Sequence, residues 1–277
     1  MARFSQEKEQ DILEKYKSGM STLQIAKIHG TYNTSIRRVL IRHGVTIRSY
    51  SEAQPKKVTS NPFEDLSNFD VQYWLGYLAS DGNIGHQRNR INISTNLDPE
   101  HLKKYVAFLN VDIKIGKYFN KKYSCWEYSV NFNNPDVKKF LESLGITSRK
   151  SLTLKLNIPL TFNFIRGYLD GNGYVKPTPD GFADVEISTG SQGFAIQLQN
   201  FLLEQGIHCT VGFRHTCYIV GIYSTEAVKS LYSHLYLDTF LFLKRKEEKF
   251  GSSIRKLIDV NSPNSVEGCV PNTELAS

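Results

Sequence analysis

Long apolar runs are absent from this 277-residue sequence. No stretch approaches the roughly 20 apolar residues that a membrane-spanning helix needs, and the first thirty residues are too polar for the apolar core of a secretory signal. Apolar residues nevertheless make up 40% of the chain, as in ordinary folded proteins. We therefore expect a globular protein that stays in the cytoplasm and has no membrane partner.

Cysteines are also few, and their spacing argues against a zinc site. They form no Cys-x-x-Cys pair and no cluster of His and Cys with the spacing of zinc ligands. We interpret all of them as free thiols. They are Cys125, Cys209, Cys217 and Cys269.

Positive charge is concentrated at one end of the chain. The net charge is +7, and residues 1–50 hold nine lysines and arginines against four acids. Acids are missing altogether from residues 31–50, which hold four arginines. Such an excess favours a polyanionic partner.

Three short helices are predicted within this basic segment. SQEKEQDILEKYKSG has apolar residues on one face, Ser21 and Gln24 have capping-box spacing, and SIRRVLIRHG, capped by Asn33 or Thr34, places arginines opposite its apolar face. The segment resembles the helix-turn-helix of resolvases and phage-encoded DNA-binding proteins, which implies a third helix in the major groove. The alternative is a small three-helix bundle with a solvated basic face. The candidate DNA contacts are Arg37, Arg38, Arg42 and Arg48.

The rest of the chain nearly repeats itself. WLGYLASDGNI matches FIRGYLDGNGYV, with Gly76 aligned to Gly167 and Asp81 aligned to Asn172 at a constant offset of 91. The segments that follow give each half the predicted order αββαββα, and each half ends in a basic pair that contains Lys150 or Lys246. Two such copies on one chain indicate a pseudo-twofold arrangement.

This repeat fixes the predicted domain organisation. The fold class is α+β, with two pseudo-symmetric halves that follow a small all-α module. The predicted boundaries are 1–50 for the helix-turn-helix, 51–68 for a linker, 69–159 and 160–250 for the two halves, and 251–277 for a tail.

The repeated motifs have a chemical consequence. Gly76 and Ser80, like Gly167 and Gly171, are four residues apart, so each predicted helix has a strip with almost no side chain. Glycine inside a helix costs about 1 kcal/mol relative to alanine, and close packing of the two helices would offset that cost. The acidic position falls at the C-terminal end of the helix, where a carboxylate is unfavourable unless a cation is bound. Two such ends side by side predict a site for a divalent metal with hard oxygen ligands.

With both motifs in place, residues 69–250 resemble a single-chain LAGLIDADG homing endonuclease. The resemblance implies two antiparallel sheets that form a saddle over double-stranded DNA, metal ligands at Asp81 and Asn172, and catalytic lysines at Lys150 and Lys246 that activate water or stabilise the charge of the phosphorane. It also implies that the cofactor is Mg²⁺ or another divalent cation such as Mn²⁺ or Ca²⁺. The protein is expected to be a monomer and to act in a bacterial or phage-infected host cell. In the strand RINIST, the side chains expected to face DNA are Arg90, Asn92 and Ser94.

Asn172 departs from the family pattern, which has an acid at this position. Asparagine keeps an acceptor oxygen but lacks the charge that neutralises a metal, so cleavage of one strand is expected to be impaired. An engineered substitution, a natural nickase or degenerate binder, and a family member that tolerates asparagine all remain open. Asp170 aligns with Ala79, and we interpret it as a structural or capping residue.

Two functions follow from these observations. The first is a site-specific, divalent-metal-dependent endonuclease of double-stranded DNA, impaired or nicking because of Asn172. The second is a non-cleaving nucleic-acid binder of the same fold, such as an intron maturase or a transcription regulator. Asn172 favours the binder, whereas Asp81 and the paired lysines favour the nuclease. A coincidental α+β repeat with no nuclease role is the third, remote reading.

Overall fold

The computed structural model describes residues 4–48, 58–178 and 183–260. Its N-terminal module consists of three helices around a small apolar core of its own. Ser21 and Gln24 form the predicted capping box, but the third helix begins with Tyr32 as its N-cap, one residue before Asn33, and without a side-chain cap. The helices are α1 (Gln6–Lys17), α2 (Thr22–Ile28) and α3 (Asn33–Arg42).

The first half of the repeat has the predicted order αββαββα. Asn68 opens its first helix, because the Asn68 side chain accepts from the backbone N–H groups of Asp70 and Val71. The elements are α4 (Phe69–Ser80), β1 (Asn83–Ile84), β2 (Arg90–Thr95), α5 (Pro99–Leu109), β3 (Gly116–Asn120), β4 (Cys125–Asn133) and α6 (Pro135–Ser143). A short helix, α7 (Lys150–Thr153), follows.

The second half repeats this order. Thr161 caps its first helix through a bond from the Phe164 N–H. The elements are α8 (Phe162–Asn172), β5 (Gly173–Pro177), β6 (Ala183–Thr189), α9 (Gln192–Glu204), β7 (Thr210–Arg214), β8 (Cys217–Ile222) and α10 (Thr225–Tyr236). A long helix, α11 (Lys244–Val260), follows. The predicted α+β fold with two similar halves is thereby confirmed.

Each half builds one four-stranded antiparallel sheet. The strand orders are β1-β2-β4-β3 and β5-β6-β8-β7, so the two sheets have the same topology. Side chains alternate across each sheet: Ile91 and Ile93 are fully buried, as are Val185 and Ile187 in the matching strand. One face of each sheet packs against helices, and the other face is left for polar side chains.

Helices α4 and α8 are the centre of the molecule. They pack with their backbones in contact, as the glycine strips predict. A Cβ atom on Gly76 would lie 2.0 Å from the carbonyl oxygen of Phe164, and a Cβ atom on Gly167 would lie 2.0 Å from that of Tyr73. The two contacts are equivalent: an offset of 91 residues relates Gly76 to Gly167 and Tyr73 to Phe164. The helix pair therefore has pseudo-twofold symmetry. The apolar residues of both halves join in one core around it.

The shared core extends beyond two of the predicted boundaries. The first half starts before residue 69, because Val58 and Phe63 are buried in its core. Of the predicted linker, residues 51–57 lie outside the described residues. The core of the second half continues past residue 250, because Ile254 on α11 packs into it beside Phe250. Of the predicted tail, residues 261–277 are not described. Across the part of the chain that is described, no helix is both long and apolar enough to cross a membrane.

Candidate metal and nucleic-acid site

The two predicted metal positions lie side by side at one end of the central helix pair. Asp81 is the C-cap of α4, and Asn172 is the last residue of α8. Gly171, the residue before Asn172, packs against the end of α4. A Cβ atom added to Gly171 would lie 3.0 Å from Cγ of Asp81 and 2.0 Å from Oγ of Ser80. The Asp81 carboxyl group therefore sits against the residue that precedes Asn172.

Several charges act on the Asp81 carboxyl group. Desolvation by the surrounding protein raises the pKa of Asp81, although the residue as a whole is exposed to solvent. Lys150, Lys246 and Arg245 oppose this shift, in that order of strength, because their positive charges stabilise the carboxylate. Both predicted catalytic lysines thus act on one carboxylate, which also lies at the negative end of a helix dipole.

Lys150 is held by the end of the first motif helix. Its Nζ donates to the backbone oxygens of Ala79 at 2.9 Å and Ser80 at 2.7 Å, so it satisfies two carbonyls that the helix end leaves open. Only 8% of Lys150 is exposed. Burial lowers its pKa to about 8, and the negative charge of Asp81 opposes that shift.

Lys246 is held by the end of the second motif helix. Its Nζ donates to the backbone oxygen of Gly173, the residue that caps α8. Burial and the neighbouring Arg245 lower its pKa, while Asp170 and Asp81 raise it. Arg245 itself donates to Asp98 at 2.7 Å, which links the start of α11 to the first half. The structure therefore brings together all four predicted site residues.

The donor chemistry at the two positions fits a magnesium ion whose remaining ligands would be phosphate oxygens and water. Asp81 offers a carboxylate and Asn172 an amide oxygen, both hard ligands, and Mg²⁺ is commonly held by one or two carboxylates together with phosphate oxygens and water. Within the described ranges no group of three His, Cys, Asp or Glu side chains surrounds a metal position. The protein would thus supply one charged ligand, and Asp81 is the residue that carries it.

The outer face of the first sheet is rich in amides. Arg90, Asn92 and Ser94 lie on this face, opposite the buried Ile91 and Ile93. The strand register places Asn83, Asn92 and Asn131 in one row across β1, β2 and β4. Asparagine carries both a donor and an acceptor, the pattern that pairs with the major-groove edge of adenine.

The outer face of the second sheet has different chemistry, which the sequence reasoning missed. The matching row contains Tyr174, Glu186 and Gly221. Arg214 donates to Glu186 at 2.8 Å and to the Tyr223 hydroxyl at 3.1 Å. Only the strand pairing brings these residues together, because 28 residues separate Glu186 from Arg214 in the sequence.

The N-terminal arginines divide into two groups. Arg48 donates to the backbone oxygens of Tyr16, Gly19 and Met20 and stacks over the Tyr16 ring. It is therefore a cap for the end of α1, rather than the DNA contact we expected. Arg42 pairs with Glu9 at 2.5 Å. Side chains exposed on α3 include those of Arg37 and Arg38.

Three of the four cysteines lie within the described residues. Cys125, Cys209 and Cys217 are free cysteines, as we expected. Cys269 lies outside the described residues.

The comparison with protein families finds a match in the second half. Residues 159–236 match the family model of the LAGLIDADG-like domain. Two proteins of Methanocaldococcus jannaschii are similar in sequence. One, an uncharacterized protein, is 26% identical over 190 residues, which cover 64% of this chain and 69% of that protein. The other, the replication factor C small subunit, is 24% identical over 160 residues, which cover 56% of this chain and only 8% of that protein.

Several solved structures have a similar arrangement of elements. The homing endonuclease I-WcaI bound to its DNA recognition sequence has a TM-score of 0.49 and 13% identity over 73% of this chain and 90% of that chain. The N-terminal LAGLIDADG domain of DUF199/WhiA has a TM-score of 0.45 and 11% identity over 73% and 98%. I-DmoI in complex with DNA and Mn has a TM-score of 0.41 and 15% identity over 61% and 97%. The match to the LAGLIDADG-like domain covers residues 159–236, and the preceding half repeats the order of elements of that segment.

Proposed function

We propose that the protein is a site-specific endonuclease of double-stranded DNA that depends on a divalent metal and cleaves one strand better than the other. One observation carries the proposal: Asp81 lies where the two motif helices end, and the charges of both Lys150 and Lys246 act on it. A protein that only bound DNA would have no need for a crowded carboxylate flanked by two desolvated lysines. We expect it to act as a monomer in the cytoplasm.

Each residue of the site would have a separate role in cleavage. Asp81 would hold the cation, and Asn172 would add a neutral oxygen ligand. Bound Mg²⁺ would neutralise the scissile phosphate and polarise its oxygens. Lys150 and Lys246 would face the water and the phosphate, and the two outer sheet faces would contact the major groove on either side.

Asn172 makes the site unequal. Asp81 retains a full negative charge at one helix end, whereas the matching end of α8 offers a neutral amide. The cation is therefore expected to bind more strongly on the Asp81 side. This predicts a nick in one strand, with slow or absent cleavage of the other.

The test is a cleavage assay with Mg²⁺ and a library of duplex targets. The protein and Asn172→Asp are compared, and nicks and double-strand breaks are scored separately. We expect nicks from the protein and double-strand breaks from Asn172→Asp. Asn200→Asp, the same change at an exposed residue of α9, serves as the control and should behave like the unchanged protein. If Asn172→Asp binds DNA specifically and cuts neither strand, the nuclease proposal is wrong.

That negative result would support the second candidate, a non-cleaving nucleic-acid binder. The observation in its favour is Asn172, because a binder has no need for a second carboxylate. Its signature would be specific binding that neither Mg²⁺ nor Asn172→Asp converts into cleavage.

Lys150 gives the reaction a predicted pH dependence. Two N–H groups of its nitrogen already donate to carbonyls, so in the neutral amine the lone pair occupies the third position and can accept a proton from water. Because the pKa of Lys150 is lowered to about 8, the neutral form increases as the pH rises through that value. We expect single-turnover cleavage to rise about tenfold per pH unit below pH 8 and to level off above it. A rate that falls above pH 8 would instead assign Lys150 to charge stabilisation, and Lys150→Arg should then remain active.

The N-terminal module is proposed to bind DNA that flanks the cleavage site. Its core is separate from that of the two halves, so removal of residues 1–50 should leave them folded. We expect weaker binding and a flatter salt dependence after this deletion. Arg37→Ala should lower the slope of log K against log salt by about 0.9, the value for one lost phosphate contact. Lys17→Ala, which removes an exposed charge from α1, is the matched control. An unchanged affinity after the deletion would contradict the role.

A further inference from the structure

Asp170 is a charged residue that the catalytic scheme does not use. It is fully buried, two residues before Asn172 on α8. Three donors converge on its carboxylate: the Tyr73 hydroxyl at 2.7 Å, the Tyr236 hydroxyl at 3.2 Å and the backbone N–H of Leu243 at 2.7 Å. Burial raises the pKa of Asp170 to about 6, while these bonds lower it. A buried carboxylate costs free energy unless it is bonded, so these bonds hold it in one place.

The bond to Leu243 points to a role in the site. Leu243 directly precedes α11, and its carbonyl oxygen accepts from the N–H of Lys246 at 2.8 Å and of Glu247 at 3.2 Å. Leu243 is thus the residue from which α11 starts. The Asp170 carboxylate accepts a hydrogen bond from the Leu243 N–H. The Leu243 carbonyl in turn accepts from the first turn of α11, which carries Lys246. A negative charge at the start of a helix also favours the helix dipole.

The first half has no such anchor. Ala79 occupies the position of Asp170 in the first motif, and its backbone oxygen accepts directly from Nζ of Lys150. The two lysines are therefore held in different ways. Lys150 is fixed at its own ammonium group by two carbonyls, whereas Lys246 depends on where α11 begins.

We propose that Asp170 is a positioning residue for Lys246. It holds the first turn of α11 against the end of α8, so that the Lys246 ammonium reaches the backbone oxygen of Gly173 beside Asn172. Its significance for cleavage rests on the proposed nuclease function, but the placement of Lys246 is measurable without cleavage.

The experiment measures how fast each lysine reacts with a trace of acetic anhydride, read by mass spectrometry of proteolytic peptides. The variants are Asp170→Ala, Asp170→Asn and Tyr236→Phe in the full chain. Lys150 is the internal reference, and Asp238→Asn is the control for loss of an exposed acid. We expect Lys246 in Asp170→Ala to react about tenfold faster, the ratio that matches loss of one hydrogen bond to a charged group. Asp170→Asn and Tyr236→Phe should give smaller increases, while Lys150 stays unchanged.

Each outcome decides between explanations. Unchanged reactivity of Lys246 in folded Asp170 variants would overturn the proposal. The Asp170 charge also raises the pKa of Lys246, so equal increases in Asp170→Ala and Asp170→Asn, with none in Tyr236→Phe, would assign the effect to charge alone and would overturn it too. An equal increase at Lys150 and Lys246 would show a general loss of stability and would also overturn it; the milder Tyr236→Phe keeps the comparison usable if Asp170→Ala does not fold. A selective increase at Lys246 in a protein that never cuts DNA would support the positioning role and count against the nuclease function alone.

Discussion

Asp81→Asn is expected to reduce cleavage of the nicked DNA strand at least about 1000-fold, because charge stabilisation by a bound cation is worth several kcal/mol and each 1.36 kcal/mol is tenfold in rate. Asp81 is the only carboxylate of the two aligned motif positions, since the other is Asn172. The variant would leave two neutral amides where the cation must bind. Single-turnover cleavage of a cognate duplex at saturating Mg²⁺ measures the effect.

DNA binding should survive this substitution. Removal of a negative charge from a site that receives phosphate favours binding. Affinity measured in EDTA should therefore be unchanged or somewhat tighter. Asp238→Asn, the same change at an exposed residue far along the chain, should cut at the normal rate. If Asp81→Asn retains substantial activity, the cation is held elsewhere and the assignment of the site is wrong.

The sequence predicts much of this fold because the two copies of the motif indicate which distant segments lie together. A single copy would not. Two glycines aligned at an offset of 91 predict two helices in backbone contact, and Gly76 and Gly167 show that contact. The same offset aligns Asp81 with Asn172, so the unequal site can be read from the residues alone. Lys150 and Lys246 also lie at the two helix ends, as the matching basic pairs predict.

Other features depend on contacts that no local pattern reveals. Arg48 follows a basic helix and resembles a DNA contact, yet its guanidinium reaches back to the end of α1, about thirty residues earlier in the chain. The Glu186 and Arg214 pair exists only through the register of three strands. Asp170 can be judged structural because Ala79 replaces it in the first motif, but its donors come from Tyr73, Tyr236 and Leu243, which are scattered over the chain. Val58 and Phe63 sit in a Pro- and Ser-containing stretch that has no periodicity, although both are buried.

Gly76→Ala and Gly167→Ala are expected to give the largest losses of stability. Each new Cβ atom would lie 2.0 Å from a backbone carbonyl oxygen of the facing helix, Phe164 in one case and Tyr73 in the other. Backbone atoms cannot rotate away, so the helices must separate and loosen the core that both halves share. We expect each substitution to lower the free energy of unfolding by more than about 3 kcal/mol, at the upper end of the cost of overpacking, and the melting temperature by about 10 °C.

The expected direction opposes helix propensity, which makes the experiment informative. Alanine stabilises an ordinary helix position by about 1 kcal/mol relative to glycine, so any loss measures a clash larger than that gain. Gly212→Ala is the matched control: no atom lies within 4 Å of its added Cβ, and its stability should change by about 0.5 kcal/mol or less. Gly171→Ala should fall between the two, because the Ser80 hydroxyl at 2.0 Å from the added Cβ can rotate away, whereas the Ser80 Cβ atom at 2.7 Å cannot. Since Gly171 also lies against the Asp81 carboxyl group, that variant should lose cleavage at a temperature where it is still folded. Melting temperatures of Gly76→Ala and Gly167→Ala equal to that of the unchanged protein would mean that the two motif helices do not pack backbone to backbone, and the shared site between their ends would lose its structural basis.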